Sequence, residues 1–246
     1  MIRIDTAAIV VALRAHGEHG AVVRLMTPRD GLQAAYVRGA RGRQMRPVLM
    51  GGNIVEARLT ARNDVQLPQA TVELVHSRAP LLSEALPAAA IDWVCALTAT
   101  ALPEGQPYGR LYAALDGLLA AIEAAPSASG WGASLVRYEL LMLAELGFGL
   151  DLEQCAVTGA HDDLVAVSPR SGRAVGRVAA APHAGKLLAL PVFIREGGAA
   201  GWQDILEGLT LSGHFLERDL IAGRAAPIAA SRDRLIDRLR GAAGNG

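Results

Sequence analysis

Over residues 1–78 the apolar positions fall in short runs or alternate with polar ones. AAIVVALRAHG (7–17), AVVRLMT (21–27), GLQAAYVRG (31–39), PVLMGGNIVEARLT (47–60) and VQLPQATVELVHS (65–77) have the β-branched or period-two character of strands. Turn residues separate them: His16-Gly17-Glu18-His19-Gly20, Pro28-Arg29-Asp30-Gly31 and Asn63-Asp64. Gly51-Gly52 interrupts the fourth run, as a bulge or sharp bend does. Five short strands in so few residues predict a small closed barrel, either an OB-fold or an SH3-like barrel.

At Ala79-Pro80 the period changes to about 3.6. Helices are expected near 81–101, 107–125 and 131–147, punctuated by Pro87, Pro103, Pro107 and Pro126. In the third, Leu135, Leu141, Met142, Leu143 and Leu146 nearly encircle the axis, the pattern of a buried central helix ending at Gly147. Residues 150–182 read as an irregular excursion with a short hairpin. Helical pattern returns near 183–189, 201–223 and 229–240, and GAAGNG reads as a frayed tail. The expected fold is α+β: a nucleic-acid-binding barrel over 1–78 and a helical domain over 79–246, with 150–182 as the excursion.

The chain has 246 residues, with 24 basic and 24 acidic side chains. The balance is uneven along it. Residues 1–78 carry 11 basic and 6 acidic side chains, 79–150 carry 2 and 7, and 151–246 carry 11 of each. The positive part is the barrel, which points to a polyanionic partner. Half of the residues are apolar, which excludes a disordered chain. Cys95 and Cys155 are too few for a disulfide framework. No run of 18 apolar residues is present, and MIRIDTAAIV has neither the basic region nor the apolar region of a signal peptide. A cytoplasmic protein that crosses no membrane is the expectation.

The strongest local feature is YVRGARGRQMRP, residues 36–47. Arg38, Arg41, Arg43 and Arg46 stand there with no acid among them, on a connection that Gly39 and Gly42 keep supple. Crowded guanidinium groups repel one another unless an anion lies between, which a phosphate backbone supplies. Arg14 and Arg24 extend the same face from neighbouring strands. Tyr36 is the only aromatic side chain before the helices, so backbone contacts with little sequence preference are expected. Arg137 lies in the most apolar helix, with Ala133, Ser134, Leu140 and Leu141 as its helical neighbours. It either pairs with an acid from another segment or grips a carboxylate beside an apolar pocket.

Cys155-Ala156-Val157-Thr158 has the form of half a zinc knuckle, but Thr158, Val175 and Val178 occupy the other ligand places, and valine cannot bind metal. His161, Asp162 and Asp163 do not complete a set, so no metal is expected. No HExxH, GxSxG, Walker A or GxGxxG pattern appears in a fitting context, and Glu139 and Glu145 do not share a helix face. No enzyme is expected. The alternative to a nucleic-acid protein is a protein-only adaptor whose barrel meets an acidic partner.

RYELLMLAELGFGLDLEQCAVTG, residues 137–159, resembles the bacterial recombination-mediator family RecO, whose pattern is R-[FY]-E, an apolar helix, L-G-[FY]-G, then L…C. Arg137, Tyr138, Glu139, Leu146, Gly147, Phe148, Gly149 and Cys155 fall on it. GLQAAYVRGARGR (31–43) and SPRSGRAV (168–175) match two further stretches of that family, in the same order. The resemblance implies an OB-fold barrel and a role in RecF-pathway repair. Such proteins bind single- and double-stranded DNA, anneal strands and bind RecR. They also recognise the acidic C-terminal tail of single-stranded-DNA-binding protein, and help load RecA. It implies DNA binding by the barrel arginines, and the tail groove is expected to include Arg137 and Leu141. Many relatives carry four zinc cysteines; this chain retains only Cys155, so zinc is not carried over.

Overall fold

The computed structural model describes residues 2–63, 65–125, 127–222 and 226–244. Asp64 of the expected turn, Pro126 of the expected helix breaks and residues 245–246 of the expected tail lie outside them. The chain packs as two compact units, Met1–Glu123 and Ala124–Gly246.

The first unit is built on five strands: β1 (Ile2–His16), β2 (Gly20–Thr27), β3 (Gly31–Val37), β4 (Ile54–Ala61) and β5 (Gln69–His76). They close into a barrel in the order β1-β2-β3-β5-β4, the arrangement of an OB-fold. β1 is longer than its apolar run because it serves two neighbours: its first half pairs with β4 and its second half with β2. A register shift between Val10 and Ala12 bends it from one to the other. Closure rests on one parallel pair, Tyr36 with Gln69, where the Tyr36 N–H donates to Pro68 O at 2.7 Å.

Gly51-Gly52 does not interrupt a strand. Residues 38–53 form one turn-rich connection, and β4 begins only at Ile54. The apolar residues Val48, Leu49 and Met50 extend the expected strand into it. In the structure Leu49 is buried in the barrel core, and Val48 is partly buried against it, from a non-strand backbone. α1 (Ala85–Ala101) lies against β1, and its Cys95 is buried, with its thiol pushed up to about 12 by desolvation. α2 (Gly109–Ala124) follows.

In the second unit, α3 (Gly132–Glu145) ends in a Schellman cap. Gly147 has φ +87°, its N–H donates to Ala144 O, and the Phe148 N–H donates to Leu143 O at 2.8 Å. The excursion forms a small sheet of β6 (Leu164–Val167), β7 (Ala174–Gly176) and β8 (Leu188–Ala189) in the order β7-β6-β8, with the one-turn α4 (Arg177–Ala180) between β7 and β8. The helix expected at 183–189 is therefore absent. A short apolar run fits strand or helix equally, and here pairing with Ala166 and Val167 makes it a strand. After α5 (Val192–Glu196), α6 (Trp202–Phe215) runs into a π-helical turn, Leu216–Ile221. α7 (Ala226–Gly244) continues through residues 241–244, where the sequence suggests fraying.

α3 is central, but not as a purely apolar rod. Leu141 and Leu146 are only half-buried, whereas Glu139 is 0% exposed. Its carboxylate accepts two hydrogen bonds from Arg232 of α7, at 3.1 and 3.0 Å, and one from the Ser212 hydroxyl of α6. Arg232, 15% exposed, also donates to Leu209 O at 2.7 Å. One buried ion pair thus joins three helices. Removing one partner strands a charge in the core. Arg232→Met is expected to lower stability by about 3–5 kcal/mol in urea unfolding. A second replacement, Glu139→Met, should restore much of that stability.

Candidate nucleic-acid interface

The connection 38–53 is a plug with a charged rim. Ala40 and Leu49 are buried in the barrel core, and Met45 and Val48 pack partly against it. Arg38, Arg41, Arg43 and Arg46, interleaved with these residues, are all exposed. Backbone hydrogen bonds fold the loop on itself. Gly42 N–H donates to Gly39 O, the Met45 and Arg46 N–H groups to Gly42 O, and the Leu49 N–H to Met45 O, all at 2.9–3.2 Å. Arg41 ties it to the β1–β2 turn, since its Nη1 donates to Glu18 O at 3.2 Å. Among the described residues none of these four arginines reaches a carboxylate, and neither does Arg14. With no described carboxylate in reach, their charge is left to solvent counterions. Those ions are the population that a phosphate chain displaces.

Strand register brings a further patch to the same end. Arg14 pairs with Val22, and Val22 with Tyr36, so the three lie side by side on one face of β1-β2-β3. The Tyr36 ring lies over Gly20, where a Cβ would come within 2.1 Å of its hydroxyl oxygen, and His16 meets it edge-on at 5.9 Å. Any side chain at position 20 would displace the ring. Tyr36 is followed by Val37 and then Arg38, so one half-exposed aromatic ring sits where the arginine loop begins. The contact of Tyr36 with His16, and its row with Val22 and Arg14, are not legible in sequence, because they depend on pairing register. Arg24 occupies the next row, between Ala12 and Ala34. Its guanidinium is engaged by Glu104 and by Ala99 O, so it braces β2 against the α1–α2 connection and does not join the open set.

Arg137 is half-buried on α3. Its Nη2 donates to Gly198 O at 2.8 Å and Phe193 O at 3.3 Å, and the guanidinium lies 5.4 Å from the Phe193 ring centroid. Among the described residues it meets no carboxylate, and Nη1 and Nε have no partner. Of the two sequence readings, internal pairing with an acid is not found. Leu141 lies one helical turn further along the same face and is half-buried. The result is a cation held by neutral acceptors beside apolar surface.

Cys155 is buried, and its sulfur accepts the Gly176 N–H at 3.2 Å. That bond, with the Thr158 hydroxyl and the Thr158 and Val157 N–H groups, draws the thiol down to about 6. The knuckle turn therefore closes on a sulfur atom through N–H donors. A tetrahedral zinc needs four sulfur or nitrogen ligands, and Thr158, Val175 and Val178 do not supply them. No group of three or more His, Cys, Asp or Glu residues is placed to hold a metal among the described residues. The set does not fit zinc. A thiol with a lowered folded-state pKa stabilises the fold above its unfolded pKa and loses that contribution as pH falls toward 6. The thermal-stability gap between the protein and Cys155→Ser should accordingly widen from pH 6 to pH 9. A gap that stays constant would mean that folding leaves the thiol pKa unshifted, and one that narrows would mean that the folded sulfur stays protonated.

No helix among the described residues is long and apolar enough to cross a membrane. Two family models match the chain: Recombination protein O N terminal over residues 1–78 and Recombination protein O C terminal over residues 85–224. The DNA repair protein RecO of Rhodospirillum rubrum is 43% identical across 98% of this chain and 97% of its own length. Proteins of the same name from Caulobacter vibrioides (strain NA1000 / CB15N) and Phenylobacterium zucineum are also 43% identical, over 96% and 97% of this chain and 96% and 98% of their own lengths. With the OB-type barrel and its exposed arginine loop, these similarities lead to one conclusion: the chain belongs to the RecO family of DNA repair proteins.

Proposed function

We propose that this chain is a recombination mediator of the RecF pathway. In this reading it binds single- and double-stranded DNA, anneals complementary strands, and acts with RecR to load RecA onto DNA coated by single-stranded-DNA-binding protein. The observation that carries the reading is the pinned 38–53 connection, which holds four exposed arginines out of reach of any described carboxylate. Arg38, Arg41, Arg43 and Arg46, with Arg14, contact phosphates. Tyr36 offers a single stacking surface. Arg24 contributes through packing. Neutralising two backbones on one rigid loop lowers their mutual repulsion, and annealing then needs neither bond chemistry nor a nucleotide cofactor. A cytoplasmic, nucleoid-associated location follows from this role.

In the second unit, Arg137 and the apolar surface at Leu141 receive the acidic C-terminal tail of single-stranded-DNA-binding protein. The unengaged Nη1 and Nε suit a carboxylate, and Phe193 backs the cation. Capture of the tail raises the local concentration of mediator on coated DNA.

Two measurements test these assignments. The Arg41→Ala/Arg43→Ala double variant should flatten the dependence of log affinity for a single-stranded oligonucleotide on log salt, by about one unit for each phosphate no longer neutralised. An unchanged slope would transfer the barrel to the adaptor reading, in which it meets an acidic protein. Arg137→Ala should weaken a fluorescent acidic peptide ending in Phe by roughly tenfold or more, with oligonucleotide binding intact. Equal peptide affinity in a folded variant removes Arg137 from the groove.

A further inference from the structure

The arginine loop is anchored at its far end by a buried polar system that touches no solvent-facing arginine. Asn53 is 0% exposed, and every polar atom of its side chain is used. Nδ2 donates to Pro47 O at 2.8 Å and to Val48 O at 3.1 Å, the two carbonyls that directly follow Arg46. Oδ1 accepts the Arg78 N–H at 2.9 Å. The Asn53 backbone continues the anchorage, with its O accepting the Val10 N–H at 3.0 Å and its N–H donating to Met50 O at 3.2 Å.

Behind Asn53 stands Arg78, only 3% exposed. Its Nη1 donates to Gly52 O at 2.6 Å. Its charge is met by two carboxylates of α2: Asp116 Oδ1 lies 3.5 Å from Nη2 and Glu123 Oε2 lies 3.4 Å from Nε. Glu123 is itself 2.9 Å from His76 Nε2 at the end of β5. Nε of Arg78 is buried without a hydrogen bond, so charge attraction across α2 contributes to holding this guanidinium. A buried cation of this kind depends strongly on its counter-charges. The chain of contacts runs from α2 through Arg78 and Asn53 to the backbone of the arginine loop.

We propose that Asn53, Arg78, Asp116 and Glu123 form a positioning clamp that sets the conformation in which Arg38, Arg41, Arg43 and Arg46 meet a nucleic-acid backbone together. This rests on the reading of those arginines as phosphate-binding. The clamp residues themselves do not touch the nucleic acid.

Two explanations of the α2 carboxylates predict opposite signs. If they act only as negative charge in the molecule's field, replacing them by amides strengthens binding of a polyanion. If they hold the clamp, the same change weakens it. Asp116→Asn/Glu123→Gln is expected to bind a thymidine oligonucleotide roughly three- to tenfold more weakly at fixed salt, with a flatter salt slope and unchanged affinity for the acidic tail peptide. Equal or tighter binding overturns the clamp. Should the double variant fail to fold, Glu123→Gln alone, at a partly exposed carboxylate, decides by the same signs. Asn53→Ala changes no charge at all. It should weaken binding and make the further effect of Arg41→Ala/Arg43→Ala smaller than in the parent protein; strict additivity counts against positioning. The arginine variant in the parent background separates the two levels. If it leaves binding and slope untouched, the phosphate reading fails. If it weakens binding while the clamp variants do not, the clamp alone fails.

Discussion

A five-stranded barrel this small has to close one end of its core with something other than a strand. Here the β3–β4 connection does so: Ala40 and Leu49 share one buried cluster with Val10, Leu25, Val55 and Val72, and Met45 and Val48 pack partly against it. Once those four are committed inward, the residues between them must face out. Arg41, Arg43 and Arg46 are among them, and Arg38 leads into the same turn. Hydrophobic burial therefore holds the cations in place, and the charges need no ion pairs of their own to be ordered. Burial of a few apolar side chains is worth several kcal/mol, more than enough to offset repulsion among guanidinium groups surrounded by water and salt.

The arginines of this protein divide by what they meet. Arg24, Arg78 and Arg232 face carboxylates and brace structure: β2 against the α1–α2 connection, the barrel against α2, and α7 against α3. The loop arginines and Arg14 meet no described carboxylate. Arg137 forms a third kind, held by carbonyls and an aromatic face that orient it without cancelling its charge. All of these are the same residue type, and composition cannot sort them. The sorting is nonetheless what separates a stabilising arginine from one that awaits a ligand, because a neutralised guanidinium releases no counterions on binding.

The barrel, the three long helices after it and the arginine-rich connection are readable from periodicity and charge, since each is a local pattern with a physical cause. The misreadings share one origin. Leu187-Leu188-Ala189-Leu190 fits helix or strand, and only pairing with β6 chooses strand. Leu141 reads as core but is only half-buried, whereas Glu139 lies inside because Arg232, 93 residues away along the chain, supplies its counter-charge. Gly39 and Gly42 suggest a flexible loop, but hydrogen bonds and the buried Ala40 and Leu49 pin it. Tyr36 reads as a lone aromatic, yet its place in one row with Val22 and Arg14 follows from β1-β2-β3 register.

By itself the chain determined that a basic, strand-forming region precedes helical segments, that a dense run of guanidinium groups lies between two strands, and that the cysteine turn lacks a zinc ligand set. These properties depend on neighbours within a few residues, so spacing along the chain is enough to carry them. Which arginines stay unpaired, which carboxylate is buried, and how Asn53 and Arg78 brace the loop from behind were decided only by tertiary structure. Arg78 reaches Asn53 from 25 positions away and Arg232 reaches Glu139 from 93, and burial assigns partners by distance in space, to which local sequence pattern is blind.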